Sequence, residues 1–268
     1  MGKNANASVM QTYLINLGRR PDRLAAMTAQ GAALGLVLDR VEACDAAAAP
    51  PQTLDRWFAQ GGPLGEIPRG DKACLLSHRA AWELFLAGPD AHAAFLEDDV
   101  VLSRAAGAFL ANDAWIPDGA AVVKLEHYGP PGQRVLLTDM KSVGNFQMGR
   151  MLSRHTGAAA YILNRAAARL LLDQTSFDLP VDHLLFNPNN SSLFESLSPW
   201  QLLPAIARQE QFVGAKSDIE GTRKGLRTFG LAYVKRELVR FLYDLRLIPR
   251  QIVALLGGAR FVAMKTAG

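Results

Sequence analysis

The sequence predicts an α/β protein, with a mostly parallel sheet flanked by helices and a basic amphipathic helical tail after it. Three observations carry this. Between Tyr13 and Leu163, short apolar runs alternate with longer segments of helical period, as in strands joined by helical crossovers. One of those runs ends in three consecutive carboxylates, Glu97-Asp98-Asp99. Charge also divides along the chain: residues 223–268 hold 10 of the 29 Lys+Arg and 2 of the 25 Asp+Glu, so the +4 of the whole chain is a −4 body joined to a +8 tail.

The elements follow in order. Thr12 to Leu17 reads as a first strand stopped by Gly18. Pro21 suits the first turn of a helix, where its missing N–H costs nothing, and that helix should run to Leu34. A strand over Leu36 to Val41 leads into AAAAPP (Ala46 to Pro51), a surface loop. Lys72 to Leu86 has apolar residues at helical spacing and ends at Gly88-Pro89; Ala93 to Leu96 is then a short buried strand. Arg104 to Leu110 is helical. Ala121 to Leu125, Arg134 to Leu137 and Ala158 to Leu163 supply further strands, and Arg165 to Leu172 a further helix. From Leu231 apolar residues recur every three or four positions, with Arg236, Arg240, Arg246 and Arg250 on the polar side. Pro249 should break or kink this helix, and a second apolar piece should begin at Ile252.

Composition excludes some functions. With 49% hydrophobic and 20% charged residues the chain is too apolar for disorder. Cys44 and Cys74 are too few for a disulfide scaffold and read as buried small hydrophobes, which fits a reducing cytoplasm. The N-terminal stretch has no apolar core followed by a cleavage site, and no run is long and apolar enough to span a bilayer. The acidic body lacks the basic groove of a nucleic-acid binder, so no nucleic-acid partner is expected.

The acidic strand end is the most informative stretch. In a parallel α/β sheet it sits at the carboxyl end, where such sheets bind ligands. Mg²⁺ and Mn²⁺ prefer oxygen ligands, and on an extended chain Glu97 and Asp99 face one side while Asp98 faces the other. An acidic turn at a helix N-terminus would explain the same triplet. Asn16 and the cluster Arg19, Arg20 and Arg23 follow the first strand where a helix begins, which suits phosphate contact as well as a solvated turn. Ser77 and His78 lie inside the Lys72 to Leu86 helix, as ligand contacts or as packed, hydrogen-bonded core.

These segments, YLINLGRRPDRLAAM, CLLSHRAAW, FLEDDV, TGAAAYILNRAAARLLL, LPVDHLLFNP and PAIARQ followed by SDIE, resemble glycosyltransferase family 25, which includes bacterial lipooligosaccharide galactosyltransferases and is related to animal collagen galactosyltransferases. The resemblance covers about residues 12–222. It implies a GT-A-like, Rossmann-like domain over 1–222, with 223–268 as the tail. It further implies a UDP-sugar donor, Mn²⁺ or Mg²⁺, and inverting transfer of a hexose, galactose by the family's example, to a saccharide or glycolipid acceptor. Glu97 and Asp99 are then the metal ligands. Asn16, Arg19, Arg20, Arg23, Ser77, His78 and Asp98 bind the donor. The first position of the acidic motif is Glu rather than Asp.

Inverting transfer needs one general base for the acceptor hydroxyl. Asp182, opening a short apolar helix in PVDHLLF, is the candidate; a helix cap would explain it equally. His183 and Glu126 are candidates for acceptor contact, with His127, Asp139, His155 and Thr156 behind them. Trp57, Trp82, Trp115 and Trp200 all lie in apolar contexts that favour core. The tail would hold the enzyme on an anionic membrane surface at the inner face, or else pack on the domain. Two other functions use the same residues: a metal-dependent nuclease or phosphotransferase, and a non-catalytic sugar-nucleotide or membrane-binding module.

Overall fold

The computed structural model describes residues 10–130, 132–209 and 231–268. SDIE, the body–tail boundary and the tail's first basic residues lie outside them. Alternation decides the centre of the fold. In β1 (Gln11–Asn16), Tyr13 and Ile15 enter one apolar layer while Leu14 enters the other; in β3 (His92–Glu97), Phe95 and Leu96 divide likewise. Strands buried on both faces belong in a covered sheet.

That sheet has nine strands. In spatial order they are β12 (Arg260–Ala263), β7 (Arg134–Val143), β8 (Phe146–Met151), β10 (Trp200–Leu203), β5 (Val122–Lys124), β9 (Ala160–Asn164), β3, β1 and β2 (Asp39–Glu42). Pairing is parallel at β2/β1, β1/β3 and β5/β10 and antiparallel elsewhere. Six strands therefore run one way and β9, β8 and β12 the other, so the sheet is mixed rather than parallel throughout. β4 (Val100–Leu102), β11 (Ala207–Gln209) and β6 (Glu126–His127) form a second, small sheet beside it.

Helices cover both faces. α1 (Pro21–Ala33) starts at Pro21 as expected and buries Met27 in the layer with Leu14, Leu96 and Phe109 of α4 (Ala106–Leu110). A one-turn helix, α2 (Pro51–Asp55), follows the alanine-rich loop. On the opposite face lies α3 (Arg69–Ala87), one turn longer at its start than periodicity indicated, with Leu75, Trp82 and Phe85 buried against Phe95. It is joined by α5 (Arg165–Leu172), whose Asn164 cap accepts from the Ala167 N–H at 2.8 Å, then α6 (Val181–Phe186) and α7 (Phe194–Leu197). Leu14, Leu75 and Leu96 are fully buried, so truncating any one to Ala costs about 2–5 kcal/mol.

The tail departs from expectation. α8 (Leu231–Leu256) continues through Pro249 as one helix, and no second piece begins at Ile252. The chain then returns to the body: β12 pairs antiparallel with β7, Arg250 pairs with Glu195 at 3.1 Å, and Gln251 donates to the Leu152 carbonyl. The end of the tail thus completes one edge of the sheet. Ile252, Val253, Leu255 and Leu256 nevertheless remain exposed, Leu256 at 85%.

Candidate active site

Parallel registration sets β1 and β3 side by side with Ile15 opposite Glu97, so Asn16 and the acidic triplet emerge at the same sheet edge. A cleft of about 590 Å³ opens there, lined by the start of α3, the loop Ala43 to Ala47, and Glu97, Asp98 and Asp99. Arg19 and Arg23 stand on its wall. The first turn of α3 borders it at Arg69 and Gly70, and the residue before that turn is Pro68, which offers no side-chain cap. Backbone N–H groups at such a terminus favour an anion.

The three carboxylates have different surroundings. Asp98 accepts from Asn16 at 2.7 Å and, through its other oxygen, from Arg23 at 3.1 Å. It ties β1 and α1 to the turn, so neither Asp98 nor Asn16 projects freely toward a donor. Asn16 is itself nearly inaccessible and also takes a bond from Arg40. Glu97, on the opposite side, accepts at Oε1 from Cys74 at 3.5 Å and meets His78 Nε2 at 3.0 Å. Asp99 Oδ1 is buried without a hydrogen-bond partner. Burial first, then the charges of Glu97, Asp98 and Glu126, push the Asp99 carboxyl up to about 8 against the pull of Arg23. A buried oxygen acceptor with no donor, beside a second carboxylate, fits a hard cation.

Several predicted contacts are placed elsewhere. Arg20 lies off the cleft and pairs with Asp22, whose carboxyl it holds at about 2. Arg19 is on the cleft wall, paired with Asp45 at 2.9 Å. Ser77 lines the cleft, but its hydroxyl accepts from the Cys44 N–H and donates to the Ala73 carbonyl. His78 is fully buried, bonded to Tyr161 and Glu97. Both serve the wall rather than meeting a ligand directly. The thiols, read as inert core, both face the cleft, where burial and the Glu97 charge raise the Cys74 thiol well above its ordinary range.

Glu126 corrects the sequence reading most clearly. It is wholly inside the protein, accepting from Lys124 Nζ and from the Ala159 N–H, both at 2.8 Å, and so presents nothing to an acceptor. Burial pulls Lys124 down and pushes Glu126 up, and each holds the other's charge in place. His155 is similarly internal, bonded to Gln201 and Tyr128, and burial lowers it to about 3. Asp139 occupies a left-handed position in the β7 bulge and pairs with Arg150. Trp82 is in the core and Trp200 nearly so; Trp115 packs edge-on against Phe109, and Trp57 lies under Arg79.

Asp182 stands in the first turn of α6, half-buried, and is not the cap residue; that is Pro180. Its carboxylate accepts from the His183 N–H at 2.9 Å and the Gly157 N–H at 3.4 Å. It lies outside the cleft lining, though its charge is felt by Cys74, which lines the cleft, and by Lys124. Gly157 has φ +90°, and a side chain there would strike Tyr128, so the close approach at this position needs glycine. His183 is half-buried and bonded through Nδ1 to Asn187. Sequence reasoning missed Asp45, Arg69, Cys74 and Lys124; the four-residue spacing of Cys74 and His78 on one helix face was the available signal for Cys74.

Known proteins resemble this chain in sequence. The family model Glycosyltransferase family 25 (LPS biosynthesis protein) matches residues 9–185. The lacto-N-neotetraose biosynthesis glycosyltransferase LgtB of Neisseria gonorrhoeae is 33% identical over 220 residues, 75% of each chain. LgtE of Neisseria meningitidis serogroup B, described by the same activity, is 29% identical over 221 residues, covering 75% of this chain and 74% of its own. The lipooligosaccharide biosynthesis protein lex-1 of Haemophilus influenzae is 26% identical over 155 residues, 54% of this chain and 50% of its own. With its acidic strand end, cleft and helix order inside the matched span, the chain belongs to glycosyltransferase family 25 and is a glycosyltransferase.

Proposed function

We propose that the enzyme transfers a hexose, galactose being the first to test, from a UDP-sugar to the growing saccharide of a surface lipooligosaccharide, with inversion and with Mn²⁺ or Mg²⁺. The observation that carries the reading is the unpartnered, buried Asp99 oxygen in the lining of a cleft that also holds Glu97, Arg19 and Arg23. Asp99 and Glu97 would hold the cation, which when bound neutralises the diphosphate of the leaving group. Arg23 and the first turn of α3 face the same volume and suit the phosphates. Asp98 acts by fixing Asn16 and Arg23 in place. Asp182, held by two backbone N–H groups, is oriented to take the proton from the acceptor hydroxyl as the new glycosidic bond forms.

No helix among the described residues is long and apolar enough to cross a membrane. The exposed Ile252, Val253, Leu255 and Leu256, with Arg246 and Arg260 nearby in sequence, suit a peripheral position on the anionic inner leaflet in the cytoplasm, where a lipid-linked acceptor is reached. Binding of the full chain to anionic but not neutral vesicles, weakened by Leu256→Asp, would support that placement.

A panel of UDP-sugars with Mn²⁺ tests the activity. Free UDP should appear at the enzymatic rate only when a saccharide acceptor is present, and one sugar should raise the melting temperature most. Cleavage of a phosphodiester without any sugar acceptor would favour the nuclease alternative, and donor binding without turnover the non-catalytic one.

A further inference from the structure

We propose that Tyr161, backed by Trp82, is a positioning residue for Glu97 and acts through His78. The inference rests on the reading of the cleft as the cation and donor site. An indole N–H can only donate, and Trp82 Nε1 lies 2.9 Å from the Tyr161 oxygen. That oxygen is therefore an acceptor toward Trp82, and its own O–H turns to its other partner, His78 Nδ1, at 2.8 Å. A neutral imidazole that accepts at Nδ1 carries its proton on Nε2. Nε2–H then donates to Glu97 Oε1 at 3.0 Å.

The chain crosses three elements, from α3 to β9, back to α3 and out to the end of β3. Trp82, Tyr161 and His78 are fully buried, and Tyr161 is wedged by stacking on Phe95 and by the edge of Phe186. Cys74 adds a second donor to the same Oε1. Both bonds end on one oxygen, which leaves Glu97 Oε2 for the cleft.

A different arrangement of the same groups is a thiophilic metal site, since ligand atoms of Cys74, His78 and Glu97 all lie within 4.8 Å of one another. That would need the lone pair of His78 Nε2, moving the proton to Nδ1. The Tyr161 O–H would then be a buried donor with no acceptor among the described residues, which folded proteins avoid. The hydrogen-bond chain satisfies every member and is preferred.

Nitrogen-15 NMR of the histidine rings in the full-length, ligand-free protein reads the chain directly: His78 should be the Nε2–H tautomer, and Tyr161→Phe, which keeps the ring and removes the hydroxyl, should release it to a mixture. In parallel, Mn²⁺ affinity in the presence of UDP, read by electron paramagnetic resonance, should fall about 10–100-fold in Tyr161→Phe and in His78→Leu. His78→Gln, which still offers an N–H donor, should restore most of it. An Nδ1–H tautomer in the wild type overturns the proposal, as does a folded Tyr161→Phe that binds Mn²⁺ and UDP normally. If the wild type itself binds no Mn²⁺ with UDP, the donor-site reading fails while the tautomer still decides the chain.

Discussion

Glu126 and Asp99 invite comparison because both follow strands that run in the same direction and both end up buried. The bonds from Lys124, at 2.8 Å, and from the Ala159 N–H both end on Glu126 Oε1, so the ammonium offsets its charge inside the protein, although Oε2, like Asp99 Oδ1, is buried without a hydrogen-bond partner. Asp99 differs in its surrounding charge: Glu97, Asp98 and Glu126 stand against Arg23, and burial with these acids pushes its carboxyl up to about 8. The difference shows what a buried acid means here. Paired, it holds strands together; left short of positive charge beside a cleft, it is the group proposed to hold a cation. Asp182 lies between these cases: its carboxylate is held by two backbone N–H groups, and Lys124 feels its charge without a direct bond between them.

The largest effect is expected at that intermediate position. Asp182→Asn keeps the shape of the carboxylate and loses its basicity, so kcat for transfer should fall about 10²–10⁴-fold while donor affinity stays unchanged. Near-normal transfer would remove Asp182 as the base. The paired acid should respond in stability instead. Lys124→Met leaves Glu126 uncompensated, which should cost about 3–5 kcal/mol in denaturant unfolding, and adding Glu126→Leu should recover much of the loss. A double variant no more stable than the single would show that the pair is not a closed unit.

Asp99 should show its shortage of positive charge as a pH dependence. Its folded value of about 8 lies above the ordinary 3.8, so below pH 4 it is protonated in both states and costs nothing. Between pH 4 and 8 the unfolded chain ionises while the fold resists, so stability falls as pH rises, and above pH 8 the penalty is constant. Asp99→Asn should therefore match wild type near pH 4 and melt about 5–10 °C higher at pH 8 in the absence of divalent cations. Parallel melting curves at both pH values would contradict the burial. The smallest effect belongs to Arg20→Ala: its guanidinium serves Asp22 outside the cleft, so UDP-sugar affinity should change less than about twofold by calorimetry, whereas Arg23→Ala should weaken it clearly.

Much of the half around β1 and β3 was legible in sequence because its signals are local. β1, α1, α3, β3 and α5 were each marked by an apolar run or a helical period with a Gly, Pro or Asn boundary. The antiparallel half was less so. β8 and β10 escaped, although Gly144-Asn145 between Val143 and Phe146 is a hairpin signal, with Gly144 at φ +56°. Apolar runs do not state strand direction, so the reversal at β9 was invisible. The same limit separates the site residues. A triplet of acids can be read as a cluster, but Lys124, two residues before Glu126 at the end of β5, decides that Glu126 is internal. His78 and Ser77, read as donor contacts or packed core, line the cleft with their polar atoms already engaged, because Ser77 meets Cys44 and Ala73 and His78 meets Tyr161, 83 residues away.

The contrast between the paired and the unpaired acid can be tested in one titration. Calorimetry of UDP-galactose binding with and without Mn²⁺ would be run on wild type, Asp99→Asn and the Lys124→Met/Glu126→Leu double variant. Wild type should bind the donor at least ~100-fold more tightly with Mn²⁺, the double variant should keep that gain, and Asp99→Asn should lose it. An undiminished Mn²⁺ gain in Asp99→Asn would contradict the assignment of the acidic end of β3 as the cation-dependent donor site.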